Sequence, residues 1–235
     1  MQTLRSILFT TFLFVSVLPY ALVVTLARPF GTRASYRVAM NWVRLNMAAC
    51  KGLCRLNISI EGKEHIPDTN CVVFLKHSSA YETIAQFLVL PRQTWVLKRE
   101  LIWAPFFGWA LACLHPIAIN RSAGRTAVEQ VIKQGKNRLA EGLWVMIFPE
   151  GTRMRAGETR RYGVSGTLLA QEAGTLLLPI AHNAGDFWPR RGWRKLPGTV
   201  RFVIGPPVDP KGRDPREVNA EIQDWIESKV AELRS

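Results

Sequence analysis

The chain has 235 residues, enough for one sizeable α/β core with an appendage and too few for two large domains. Its net charge of +13 sits on a chain that is 48% hydrophobic, a basic and oily balance that suits an anionic membrane surface better than bulk cytosol. The four cysteines (Cys50, Cys54, Cys71, Cys113) lack zinc-ligand spacing, so no metal site is expected, and reduced thiols in a cytosol-facing compartment are.

Between Arg5 and Arg28 there is no charged residue, and Ser6 to Ala27 is long enough to enter or cross a bilayer as a helix, with an interruption at Pro19. No A-x-A-like site follows it, so a retained anchor is expected rather than a cleaved signal. From Ala34 to Leu56, the residues Arg37, Asn41, Arg44, Ala48, Lys51 and Arg55 fall on one helical stripe, set in a wide apolar arc. Such a helix is expected in the headgroup layer. Residues 1–57 therefore read as membrane-anchoring helices (apolar 6–27, amphipathic and basic 34–56), and residues 58–235 as an α/β domain.

In that second part, β-rich runs alternate with helical stretches. The strand candidates are Asn57 to Ile60, Cys71 to Leu75, Thr94 to Leu97, Ile117 to Ile119, Leu143 to Phe148, Thr175 to Ala181 and Thr199 to Ile204. Helices are expected at Ala80 to Leu90, Pro105 to Cys113, Thr126 to Glu141 and Gly163 to Ala173. A last one, to about Leu233, opens with Asp214 as N-cap, Pro215 at N1 and Glu217 at N3. The alternation predicts a largely parallel or mixed sheet flanked by helices and preceded by the helical anchor.

Two constellations follow strands. His77 closes the strand at Cys71 to Leu75 and is followed five residues later by Glu82, whose carboxylate can accept the ring N–H, fix the tautomer and raise the basicity of the other nitrogen. Glu150-Gly151-Thr152-Arg153 follows the strand at Leu143; its glycine lets backbone approach a ligand, its threonine offers a hydroxyl, and its arginine can grip a phosphate bidentately. His65 reads as a surface residue, and His115 and His182 as core or supporting residues. Phe187 to Lys195 interleaves aromatic and cationic residues, a composition shared by lipid-headgroup and nucleic-acid surfaces; its company with the apolar anchor favours anionic membrane lipids over nucleic acid.

With these motifs in order, the sequence resembles the bacterial 1-acylglycerol-3-phosphate acyltransferases among the glycerolipid acyltransferases. The family's His-x4-Asp is met by His77 and Glu82, with glutamate in the acid's place. Its Lys-x2-Leu-x6-Gly-x12-Arg is met by Lys98, Leu101, Gly108 and Arg121, its Glu-Gly-Thr-Arg by residues 150 to 153, and its Val-Pro-like strand by Leu178 to Asn183. The resemblance implies that His77, oriented by Glu82, takes the proton from the hydroxyl of lysophosphatidic acid as that oxygen attacks an acyl thioester of coenzyme A or acyl carrier protein. It also implies that Lys98, Arg121 and the residues from Glu150 to Arg153 hold the phosphate, that no bound cofactor or metal is needed, and that the enzyme works at a bacterial inner membrane, facing the cytoplasm. The residues leave open an acyltransferase for glycerol 3-phosphate or a lyso-aminolipid, a non-catalytic anionic-lipid-binding module, and a nucleic-acid binder.

Overall fold

The computed structural model describes residues 1–235. Seven strands, β1 (Leu56–Glu61), β2 (Val72–Leu75), β3 (Gln93–Lys98), β4 (Ile117–Ile119), β5 (Trp144–Ile147), β6 (Leu177–His182) and β7 (Gly198–Ile204), form one sheet in the order β1-β7-β6-β2-β5-β3-β4. Every neighbouring pair is parallel except β6 with β7, so the sheet is mixed. The expected strands are all present, with ends shifted by a residue or two.

Eight α-helices surround the sheet: α1 (Gln2–Leu26), α2 (Thr32–Ala49), α3 (Tyr81–Ala85), α4 (Phe107–Cys113), α5 (Arg125–Ala140), α6 (Ser165–Ala173), α7 (Ala184–Phe187) and α8 (Pro215–Arg234). Strand β2 shows why two helical layers are needed. Its successive side chains point to opposite faces, and all are apolar and buried. Val73 and Leu75 join a core with Phe9, Cys50, Cys54, Tyr81 and Phe202. Val72 and Phe74 join the opposite core with Val131, Leu169, Ile222 and Ile226. Helix α8 starts as expected: Asp214 accepts from the amides of Arg216 (2.7 Å) and Glu217 (3.3 Å).

The N-terminal helices are more than an appendage. Residue 57 marks a change of secondary structure, but Phe9, Cys50 and Cys54 are fully buried in the same core as the strands. Helix α1 is tied down along its length. Near its start, Gln2 Nε2 donates to Lys195 O (2.7 Å) and Cys54 O (3.1 Å). In its middle, Ser16 Oγ accepts from Trp42 Nε1 of α2 (3.1 Å). Near its end, Ala21 and Val24 pack on Ala110, Cys113 and Leu114 of α4. The helix also runs unbroken past Pro19, contrary to the expected interruption. The proline lies on the exposed face, and packing of the buried face offsets the one lost backbone hydrogen bond.

The stripe from Arg37 to Arg55 is exposed at every position, but only its first four residues lie on α2. A π-helical turn follows over Cys50–Cys54, Arg55 is left-handed at φ +58°, and Leu56, the expected last residue of the helix, opens β1. All four cysteines are free and buried. The aromatic and cationic run from Phe187 to Lys195 is less exposed than its composition suggests. Trp188 is buried edge-on against Phe9 (5.7 Å), and the buried Lys195 ammonium lies 4.5 Å from the Trp188 ring, so both serve the docking of α1; Arg190, Arg191, Trp193 and Arg194 remain outside.

Candidate active site

The parallel strands place the motif residues at one edge of the sheet. His77 follows β2, Glu150 to Arg153 follow β5, Arg121 follows β4, and Lys98 ends β3, so all stand at the carboxyl ends of four adjacent strands. Open α/β sheets hold ligands at this edge.

His77 is held from three sides. Its Nδ1 lies 2.8 Å from Glu82 Oε1. A carboxylate there only accepts, so Nδ1 carries the proton and Nε2 keeps its lone pair. Its ring stacks on Phe148 with centroids 4.1 Å apart, which fixes the ring plane. Its backbone N–H donates to Glu150 Oε2 at 2.8 Å.

Glu82 is fully buried, and the same Oε1 accepts from the amides of Ser78 (3.2 Å) and Ser79 (3.0 Å). Glutamate in place of aspartate therefore still reaches the ring, from the first turn of α3. Its other oxygen has no hydrogen-bond partner and lies 4.0 Å from His182 Nε2. The fully buried His182 donates from Nε2 to Lys76 O (2.7 Å) and accepts at Nδ1 from Ala184 N (3.1 Å), which requires the neutral ring. Burial pushes its pKa down, in agreement with that geometry. His182 is thus the supporting residue the sequence suggested. His65 is half-buried on Ile204 O (2.8 Å), and His115 pairs with Glu141 (3.1 Å) away from the dyad.

Beneath His77 lies a buried ionic cluster. Lys76, only 1% exposed, donates to Glu150 Oε1 (2.7 Å), to Glu158 O (2.9 Å) and to both oxygens of Glu227 on α8 (2.8 and 2.9 Å). Tyr162 completes it by donating to Glu227 Oε1 (3.0 Å). Burial pushes Glu150 up to about 7, while Lys76 and the His77 amide pull it back down. This corrects the expected place of Glu150 among the phosphate contacts: its carboxylate faces inward, and an anion has no reason to hold a phosphate. Nothing in the sequence singles Glu227 out from the other acidic residues of α8, Glu217, Glu221, Asp224 and Glu232.

The remaining residues divide. Gly151, at φ +68°, closes the turn that brings its own N–H to Phe148 O (2.9 Å), and its carbonyl accepts from Arg121 Nη1 (2.9 Å). Thr152 and Arg153 are half-buried, and Arg153 Nε is buried with no hydrogen-bond partner. His77, Arg121 and Arg153 line one cavity of about 320 Å³. Most of its other walls are apolar, from α1, α2, α3, β3 and α4, including Val17, Val43, Phe87 and Leu111. Lys98 is not in that lining; its ammonium is over half exposed and pairs with Glu100 at 3.8 Å.

This arrangement agrees with the comparisons. Residues 57–183 match the family named Acyltransferase. A Pseudomonas aeruginosa protein named 1-acyl-sn-glycerol-3-phosphate acyltransferase is 41% identical over 99% of this chain and 92% of its own. A mouse protein, 1-acyl-sn-glycerol-3-phosphate acyltransferase alpha, is 30% identical over 77% of this chain and 65% of its own. The crystal structure of PlsC from Thermotoga maritima, titled as the 1-acyl-sn-glycerophosphate (LPA) acyltransferase, superposes with a TM-score of 0.81 over 100% of this chain and 98% of that one; at 23% identity this shows the shared fold. By sequence and by architecture, the chain belongs to the acyltransferase family.

Proposed function

We propose that the protein transfers a fatty acyl group from an acyl thioester to the sn-2 hydroxyl of 1-acylglycerol 3-phosphate, forming phosphatidic acid. One observation carries the reading: a single cavity joins a histidine with a free Nε2, two arginines and apolar walls. These are a base for a hydroxyl, cations for a phosphate and room for an alkyl chain. The names borne by the Pseudomonas and mouse relatives support the same substrate.

In the proposed reaction, the acceptor hydroxyl gives its proton to His77 Nε2 as its oxygen attacks the thioester carbonyl. The C–O bond forms, the C–S bond breaks, and the imidazolium returns the proton to the departing thiolate. Glu82 stabilises the transient imidazolium through Nδ1–H. Replacing Glu82 by Gln should lower kcat by about two to four orders of magnitude, since an amide no longer enforces the tautomer, while Glu82→Asp should keep more activity than Gln; steady-state rates of folded variants check both.

Arg121 and Arg153 take the phosphate, with Gly151 and Thr152 shaping the turn beside it; Lys98 meets only a phosphate that extends beyond the cavity. Arg153→Ala should raise KM for the phosphate acceptor by about tenfold to a hundredfold.

The family needs no bound cofactor. Helix α1 is long and apolar enough to cross a membrane by length and composition. Its attachment to the catalytic domain near both ends supports a different placement, in the plane of one leaflet. The exposed cations Arg37, Arg44, Lys51 and Arg55 favour the cytoplasmic side of a bacterial inner membrane. The test is thiol release with coenzyme A and acyl carrier protein thioesters against 1-acylglycerol 3-phosphate, glycerol 3-phosphate and a lyso-aminolipid. Turnover with the first acceptor supports the proposal; turnover with one of the others alone overturns it.

A further inference from the structure

The segment from Arg99 to Cys113 exposes three large aromatic side chains that lie outside both the buried cores and the cavity lining. Trp103 is 67% exposed, Phe106 44% and Trp109 50%. A soluble surface seldom groups such residues.

The backbone here is built to present them. Phe106 has φ +60° and ψ −61°, and Phe107 N–H closes onto Pro105 O at 2.6 Å, a γ-turn of the strained kind. Gly108 sits so close under the preceding 3-10 turn that a Cβ would lie 2.2 Å from Ile102 O. Only glycine lets α4 fold back tightly enough to push the aromatic turn outward, which gives the motif glycine a physical reason.

Two further observations identify the partner. First, α4 and Leu114 after it pack on Ala21 and Val24 in the last turns of α1, the same turns that expose Leu22, Val23 and Leu26. The guanidinium of Arg99 lies 5.8 Å from the Trp103 ring, pairing a cation with an aromatic as interfacial surfaces do. Second, the same segment has an inner side: Leu101, Phe107 and Leu111 line the cavity that holds His77.

We propose that Arg99–Cys113 is a second membrane-inserting element, an aromatic wedge that enters the leaflet beside α1 and places one wall of the substrate cavity among the lipids. A bilayer-held acceptor then reaches His77 through lipid rather than through water. The kinetic part of this inference rests on the proposed acceptor; the insertion itself does not.

Trp103→Ser with Trp109→Ser changes two residues outside the cavity lining. In vesicles of phosphatidylcholine with a minor share of phosphatidylglycerol, kcat/KM for embedded long-chain 1-acylglycerol 3-phosphate should fall about tenfold or more, while a short-chain, monomeric acceptor is turned over within about twofold of wild type. Equal losses on both acceptors, or no loss in vesicles, would overturn the wedge. A second pair, Trp103→Phe with Trp109→Phe, keeps the apolar surface and removes the reporters. Quenching of tryptophan fluorescence by brominated lipid should then be weaker than in wild type; unchanged quenching contradicts insertion. A wild-type protein that shows this quenching yet acylates neither acceptor refutes the functional reading and leaves the wedge standing.

Discussion

Replacing His77 by Ala lowers kcat by about two to four orders of magnitude while the protein keeps its fold and its affinity for vesicles. The size follows from the role proposed for His77: no other side chain lining the cavity is a base at neutral pH. The fold survives because the main-chain contacts, His77 N–H to Glu150 and Met154 N–H to His77 O (2.8 Å), do not need the imidazole. The truncation does leave Glu82 without its ring partner, but the Ser78 and Ser79 amides still donate to Oε1, the oxygen that the ring had faced. Rates near wild type in the folded variant would remove the histidine from the chemistry.

The second large effect is on stability. Lys76→Met removes the ammonium that faces both Glu150 and Glu227, and breaking a buried ion pair by deleting one partner costs about 3–5 kcal/mol. The pH dependence has a definite sign. Glu150 in the folded protein is already held up at about 7, and without Lys76 it rises further, so the folded state binds a proton that the unfolded chain has lost. The loss is therefore smallest below the unfolded carboxylate pKa and grows as pH rises through about 7. Adding Glu150→Gln should restore part of the stability, because the remaining Glu227 is partly exposed and keeps Tyr162. Denaturation midpoints of the single and double variants across pH check this; a Lys76→Met protein as stable as wild type at alkaline pH contradicts it.

Much of the site was legible because its chemistry lies next to strands that read clearly. Apolar runs such as Val72 to Leu75 fix where β2 ends, and His77 and Glu82 follow within one turn. Likewise the run before Phe148 places Gly151 and Arg153 at the same edge. What sequence could not show were relations made only by packing across the chain. Glu227 meets Lys76 across 151 residues, and no local pattern announces that partner. Glu150 reads as part of a phosphate loop because it stands next to Gly151, Thr152 and Arg153; only the fold shows that its side chain turns inward to Lys76. Lys98 fits the motif spacing, yet β3 ends with it pointing toward Glu100. In the same way Trp188 and Lys195 have the composition of a lipid surface and were claimed by α1 instead.

The most direct test follows both products at once: thiol released and phosphatidic acid formed by purified wild type and His77→Ala, each given a long-chain acyl thioester and 1-acylglycerol 3-phosphate in vesicles. The account predicts equal amounts of thiol and phosphatidic acid from wild type and neither above background from the variant. Vesicle binding by wild type without consumption of thioester would contradict it and leave the protein a lipid-binding module.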